Sequence, residues 1–328
     1  MKKTKLRFAL LALAISGLIL LSLKLFYPEA LGLSSQKRAS LLNPLLRYTK
    51  FRELKSFRGK LNDLIEKEKA YGLADDVAIY FRSLTVGIWI GINEKEIFSP
   101  ASILKIPVMM TYFRLAQEDP DVLKKMVKYK SLFLKNVVPG VLQDTSAKDG
   151  EYYSIDELIR FMIIESDNNA DMLLMRNLPP GALEKTFSDF GVELSRVSAN
   201  ADFASPKLIA TFLRVLYNAS YLNEKMSKKA LGYLTQCKYR DGIAAGLPQD
   251  VTVAHKFGER FFEDTNKRQL HEVAIVYYQR NPYVLAILTK GDDYDKLSRV
   301  LREISQFVYQ QVDYQYKNAS EDSKVEIE

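Results

Sequence analysis

The sequence predicts an α+β fold with one sheet and a helical middle. Strand-like runs lie at both ends of the folded part of the chain: Val77–Arg82 and Val86–Ile92 early, then Val251–Gly258, Glu272–Tyr278 and Tyr283–Thr289 late. The stretch between them is dominated by helical periodicity and helix caps. Early and late strands separated by helices are expected to pair in a single sheet. Apolar content of 47% supports a packed core, and 27% charged residues argue against disorder.

In chain order, the first 23 residues carry a basic start (Lys2, Lys3, Lys5, Arg7) and an apolar run, Phe8–Leu23, closed by Lys24. This is a signal peptide or a short signal anchor. A spanning helix takes about 17–25 residues. Extension through Leu25, Phe26 and Tyr27, with Lys24 snorkelling, reaches that length and favours an uncleaved anchor. Either reading leaves residues 35–328 outside the cytoplasm, because the basic end stays inside. The same residues supply much of the +7 net charge, and no basic stripe interleaved with aromatics occurs elsewhere, so nucleic acid is not an expected partner.

Residues 35–60 are basic and polar, and Leu61–Ala70 reads as an amphipathic helix. Ser83-Leu84-Thr85 suits a hairpin turn between the first two strands. A loop ends at Pro100, and the apolar run Ile106–Leu115 reads as a buried helix beginning near Ala101. Residues 113–150 read as helices and a long loop. Ser154-Ile155-Asp156-Glu157 is a capping box, and the helix after it is apolar nearly all round, hence buried. Ser166-Asp167-Asn168 then separates it from a helix over Asn169–Arg176, and these are preferred cap residues. Leu178-Pro179-Pro180-Gly181 breaks the chain, a helix ends at Gly191, and Ser205-Pro206 starts another. Gly242–Pro248 is a loop. A final amphipathic helix spans Asp295–Gln311, and the polar tail from Lys317 is expected to fray. The boundaries are therefore an N-terminal signal segment at 1–34, a linker or N-terminal helix region at 35–60, the main domain at 61–312 and a polar tail at 313–328.

Three short motifs carry chemistry. In Ser102-Ile103-Leu104-Lys105, residues three apart share a helix face, so the Lys105 amine is expected over the Ser102 hydroxyl. A serine needs an adjacent base. An amine among apolar neighbours near a helix N-terminus sheds its proton more easily. Alone, a four-residue pattern recurs by chance. Ser166-Asp167-Asn168 sits in a tight connection between core helices, and Lys256-Phe257-Gly258 lies on a late strand where Gly258 permits close backbone approach. Cys237 is the one cysteine, and His255 and His271 lack metal-ligand spacing, so no metal or other cofactor is expected. The Gly-x-Ser-x-Gly elbow of α/β-hydrolases is absent.

In this order the three motifs follow the S-x-x-K, S-D-N and K-T-G signature, with Phe257 at the Thr position, and from about residue 60 to 312 the chain resembles the class A β-lactamase-like serine hydrolases. Tyr80-Phe81-Arg82, Gly91-Ile92-Asn93-Glu94 and Ala245-Gly246-Leu247-Pro248 extend the likeness. The resemblance implies a β-lactamase/transpeptidase-like fold: a five-stranded antiparallel sheet with the terminal helices on one face, beside an all-helical lobe. It implies that Ser102 is the acylated nucleophile, Lys105 its base and Ser166 the proton relay. Asn168 would bind the substrate amide, Lys256 would hold Ser166 and the substrate anion, and the backbone N–H groups of Ser102 and Glu259 would form the oxyanion hole.

Two departures stand out. The Gly191–Ser205 loop lacks the family's Glu-x-x-x-Asn, leaving Asp202 as the acid near its end and as the candidate for a weak deacylation base. Phe257 and Glu259 occupy one strand face where relatives use hydroxyls on the substrate carboxylate. The expected activity is acyl transfer on a β-lactam or a D-alanyl-type peptidoglycan amide, with slow deacylation. A penicillin-binding DD-peptidase is the alternative, and a non-catalytic protein that binds cell-wall fragments is a second.

Overall fold

The computed structural model describes residues 51–131, 145–193, 202–279 and 281–325. The apolar run Phe8–Leu23 and most of the 35–60 region lie outside them. No described helix is long and apolar enough to cross a membrane.

Helix α1 (Phe51–Ala70) begins ten residues earlier than the sequence pattern predicts and runs through residue 60 without a break. Its Phe57, Leu61 and Ile65 recur at helical spacing and are buried. Strands β1 (Asp76–Ser83) and β2 (Trp89–Ile92) follow. The turn between them is longer than predicted, because Gly87 takes a left-handed φ of 79° and β2 starts at Trp89. A 3-10 turn (Ala101–Leu104) leads into α2 (Lys105–Glu118). Two short strands, β3 (Met126–Lys128) and β4 (Tyr152–Ser154), pair as a ribbon that the sequence pattern does not reveal. Helices α3 (Ile155–Ile164), α4 (Asn168–Asn177), α5 (Ala182–Asp189), α6 (Pro206–Tyr217) and α7 (Glu224–Leu234) complete the middle. Ser154 and Glu157 form the predicted capping box at the start of α3.

The late strands are β5 (Val253–Phe262), β6 (Lys267–Val276) and β7 (Tyr283–Gly291). They are longer than predicted: the charged stretch Arg260–Gln269 pairs across a hairpin at the exposed end of the sheet, where polar residues hide the strand pattern. The sheet order is β2-β1-β7-β6-β5, antiparallel throughout, so the first strand lies beside the last as expected.

Alternation along β1 explains the layering. Ala78 and Tyr80 pack into the core shared with α2, α3 and α6. Val77, Ile79 and Phe81 pack on the other face against α1 and α8 (Tyr294–Val325). With both faces covered, the central strands are nearly continuous in apolar residues. Each fully buried Leu, Ile, Val or Phe contributes about 1.5–3 kcal/mol to this arrangement. Helix α8 continues to Val325, past Lys317 where the sequence predicts fraying. Residues Thr49–Glu328 form one compact unit.

Candidate active site

The site lies where edge strand β5, the 3-10 turn before α2 and the α3–α4 connection meet. Ser102 lies in that turn rather than in the first turn of an α-helix, and α2 begins at Lys105. The preceding residue, Ala101, holds a left-handed φ of 46°, a conformation that costs a non-glycine residue roughly 1–3 kcal/mol and that surrounding contacts must maintain. Those contacts are visible. Ser99 N–H donates to the Gln269 side chain at 3.0 Å, and Arg260 donates to Ser99 Oγ at 2.9 Å. Gln269 is in turn bonded to His271 at 3.2 Å, and the Thr289 N–H donates to His271 Nδ1 at 3.1 Å. Burial holds His271 down at about 3, so its ring is neutral and able to accept. Three sheet strands thus position the segment before Ser102.

Gly258 brings β5 against the turn. A Cβ at this position would lie 3.0 Å from Ser102 N and 3.1 Å from Ile103 N. Only a residue without a side chain allows the strand backbone this close to the Ser102 amide.

Lys105 is 2% exposed, at the first turn of α2. It donates to Asn168 Oδ1 at 2.6 Å, the Ser166 carbonyl at 2.7 Å and Ser166 Oγ at 3.2 Å. This corrects the expectation that its amine rests on the Ser102 hydroxyl: packing aims it at the α3–α4 connection instead. Burial, and then the charge of Lys256, lower its pKa to about 7. Lys256, fully buried on β5, donates to Ser166 Oγ at 2.9 Å and to the Phe257 carbonyl at 3.0 Å. Burial lowers it to about 8 against the pull of nearby acidic groups.

Ser166 is fixed from both sides. Its φ is 58°, left-handed for a non-glycine residue. Before it, Glu165 accepts from Ser146 N at 2.6 Å and from Lys238 at 2.8 Å. After it, Asp167 accepts from Asn169 N at 2.8 Å, Ala170 N at 3.1 Å and Tyr129 Oη at 2.8 Å. Asp167 is therefore the cap that its residue type suggests, while Ser166 and Asn168 on either side face Lys105. Capping and site construction are the same structure here.

One predicted site residue falls elsewhere. Phe257 is 2% exposed, and its ring lies 4.5 Å from the Tyr239 ring, tilted by 32°, in the core beneath α8. It cannot line a substrate cleft; its ring instead lies 4.2 Å from the Lys256 ammonium, a cation–π contact. Asp202 is exposed, and the neighbouring Phe203 and Ala204 dock on the Phe98 carbonyl. Residues 194–201 of the same loop lie outside the described residues. Glu259, on the face of β5 shared with Phe257, has a buried Oε2 without a partner, and burial raises its pKa to about 7. It borders a cavity of about 200 Å³ with Pro100, Ala101, Leu104, Phe203 and Arg260.

Asp171 was missed from the sequence. It lies one helical turn after Asn168, a spacing that could have revealed it. Its Oδ1 is buried without a partner, and burial raises its pKa while Lys105 and Lys256 pull it back down. Gln269 carried no sequence signal. Among the described residues no cluster suited to a metal ion occurs.

The sequence profile of the Beta-lactamase enzyme family matches residues 56–312. A β-lactamase of Phocaeicola vulgatus is 25% identical over 177 residues, which cover 48% of this chain and 55% of that protein, so the match spans about half the length of that relative. Among solved structures, PBP-A superposes with a TM-score of 0.65 at 20% identity, covering 80% of this chain and 97% of its own. A class A β-lactamase from Mycobacterium abscessus gives 0.64 at 21%, covering 78% and 99%. An ancestral class A β-lactamase gives 0.65 at 22%, covering 77% and 99%. A mutant of PBP-A has been solved as an acyl-enzyme with penicillin G.

Proposed function

The chain belongs to the Beta-lactamase enzyme family, and from that premise we propose that it opens β-lactam or D-alanyl-type amides through an acyl-enzyme on Ser102. The observation that carries this reading is the convergence of Lys105 and Lys256 on the Ser166 hydroxyl beside the Ser102 turn. In the proposed reaction, Lys105 in its neutral form takes the Ser102 proton, directly or through Ser166, as Oγ attacks the carbonyl carbon. Ser166 passes a proton to the leaving nitrogen, its hydroxyl held by Lys256. The backbone N–H groups of Ser102 and Glu259 meet the developing oxyanion, the interaction that usually contributes most in such reactions. Asn168, exposed at the start of α4, contacts the substrate amide. Lys256 supplies positive charge for the substrate's anionic group.

Deacylation is the slow step in this reading. Residues 191–205 contain no Glu-x-x-x-Asn, and Asp202 is exposed. General-base assistance typically contributes about 10²–10⁴-fold, so its impairment leaves a long-lived acyl-enzyme. The same observation favours a second reading, a penicillin-binding DD-peptidase acting on peptidoglycan. The basic-then-apolar N-terminal pattern supports a tethered, extracytoplasmic catalytic domain.

Fluorescent penicillin should label the protein covalently, with the label mapping by peptide mass to Ser102 and disappearing in Ser102→Ala. Labelling that survives Ser102→Ala overturns the assignment of the nucleophile. Failure of the wild type to label overturns the penicillin-reactive reading.

A further inference from the structure

The Gly191–Ser205 loop lacks the family's Glu-x-x-x-Asn, and other carboxylates lie around the lysine pair. Asp167 is saturated: one oxygen accepts two backbone N–H groups and the other accepts from Tyr129 and Thr145. With its lone pairs so engaged, it has none left to orient a water. Glu259 also has a buried oxygen without a partner, but it leaves β5 on the face it shares with Phe257, opposite that of Lys256. Asp202 and Glu193 are exposed at either end of the loop.

Asp171 differs from all of these. It sits on α4 three residues after Asn168, so the two side chains share one helix face. Asn168 marks where that face points, because its Oδ1 lies 2.6 Å from Lys105 Nζ. Asp171 Oδ1 is buried and accepts no hydrogen bond. A buried carboxylate oxygen without a partner is costly and is retained where something else compensates. The charged groups that bear on it are Lys105 from α2, Lys256 from β5 and Asp167 at the start of its own helix. Two nearby ammonium groups keep a buried carboxyl ionisable, the condition for a base.

We infer that Asp171 is a further catalytic residue, the base that activates water for hydrolysis of the Ser102 acyl-enzyme, and that the residual turnover of this protein runs through it. The inference rests on the acyl-enzyme reading above. A water oxygen bonds to the acyl carbonyl carbon while one of its protons passes to the Asp171 carboxylate. Asp171 passes this proton to the neutral Lys105 amine. When the tetrahedral intermediate collapses, the bond from that carbon to Ser102 Oγ breaks and Lys105 delivers the proton to Oγ, so Asp171 and Lys105 end as they began and the net change is addition of water across the ester. A side chain shorter than glutamate, reaching from a helix rather than a loop, holds this water less well than the arrangement in relatives, consistent with slow turnover.

The test uses the full chain, with penicillin G in burst kinetics across a range of pH. The wild type should show a burst of one product per enzyme, then a slow phase that declines toward acid as Asp171 protonates, at a pH above the ordinary carboxylate range because burial raises its pKa. Asp171→Asn should keep a burst, which counts folded acylating sites, while the slow phase drops at least about tenfold and loses its acid limb. Asp171→Glu should retain a pH-dependent slow phase, and Asp202→Asn should leave it within about twofold, the range expected of an exposed side chain away from the reaction. A slow phase unchanged in Asp171→Asn overturns the inference, as does one that keeps the wild-type acid limb. If Asp171→Asn gives no burst, a slow phase in the wild type or in Asp171→Glu that is independent of pH below neutrality overturns it equally. Failure of penicillin to label Ser102 in the wild type would instead contradict the acyl-enzyme reading itself, and rapid turnover without a burst would contradict slow deacylation, so the failures are distinct.

Discussion

The Lys256 ammonium donates to the Ser166 hydroxyl at 2.9 Å, across ninety residues of chain. Lys105, from α2, reaches the same oxygen at 3.2 Å. Among the described residues, Ser166 Oγ is therefore the oxygen on which both lysines converge. Its left-handed backbone is kept in place by the bonded carboxylates of Glu165 and Asp167 on either side.

Ser166→Ala should slow acylation by fluorescent penicillin about 100-fold, the low end of what positioned proton transfer contributes. The thermal midpoint should change little, since Glu165 and Asp167 still hold the connection. Acylation at the wild-type rate would show that Lys105 delivers its proton by another route.

Acylation should depend on pH in a narrow bell. The base form of Lys105 is the neutral amine, which accumulates as pH rises through about 7. The anchoring form of Lys256 is the ammonium, which is lost as pH rises through about 8. The rate constant should therefore climb through the first value and fall beyond the second. Lys105→Arg should abolish the rising limb and most of the rate, because guanidinium stays protonated. A flat profile across this window would contradict both assignments.

Gly258→Ala should disable the site without unfolding the protein. The added methyl would meet backbone nitrogens of Ser102 and Ile103 at 3.0 and 3.1 Å, and backbone cannot swing aside as a flexible side chain can. Displacement of the nucleophile turn by a fraction of an ångström should lower the acylation rate about 10- to 100-fold. Far-ultraviolet circular dichroism should remain that of the wild type.

Phe257→Ala should act mainly on stability. The ring is buried against Tyr239 and lies beneath the Lys256 ammonium. Truncating a buried Phe to Ala costs about 3–5 kcal/mol, readable as a lower denaturant midpoint with little change in slope. A loss confined to penicillin binding, with unchanged stability, would place the ring in the substrate cleft after all.

The sequence alone determined the element types and the core motif residues, since both are written locally. Apolar periodicity marked the helices and strands, the Ser154–Glu157 box marked the start of α3, and three motifs in fixed order marked Ser102, Lys105, Ser166 and Lys256. Strand ends near 260–270 escaped detection because exposed charged residues there carry no apolar alternation. Only tertiary structure decided which groups touch. Lys105 turns to Ser166 and Asn168, more than sixty residues away. Gln269 steadies Ser99 across 170 residues. Phe257 sinks into the core, and Asp171 is left with a buried oxygen that has no partner. Each outcome depends on how remote segments pack and which polar atoms they leave without water, and no local pattern encodes that.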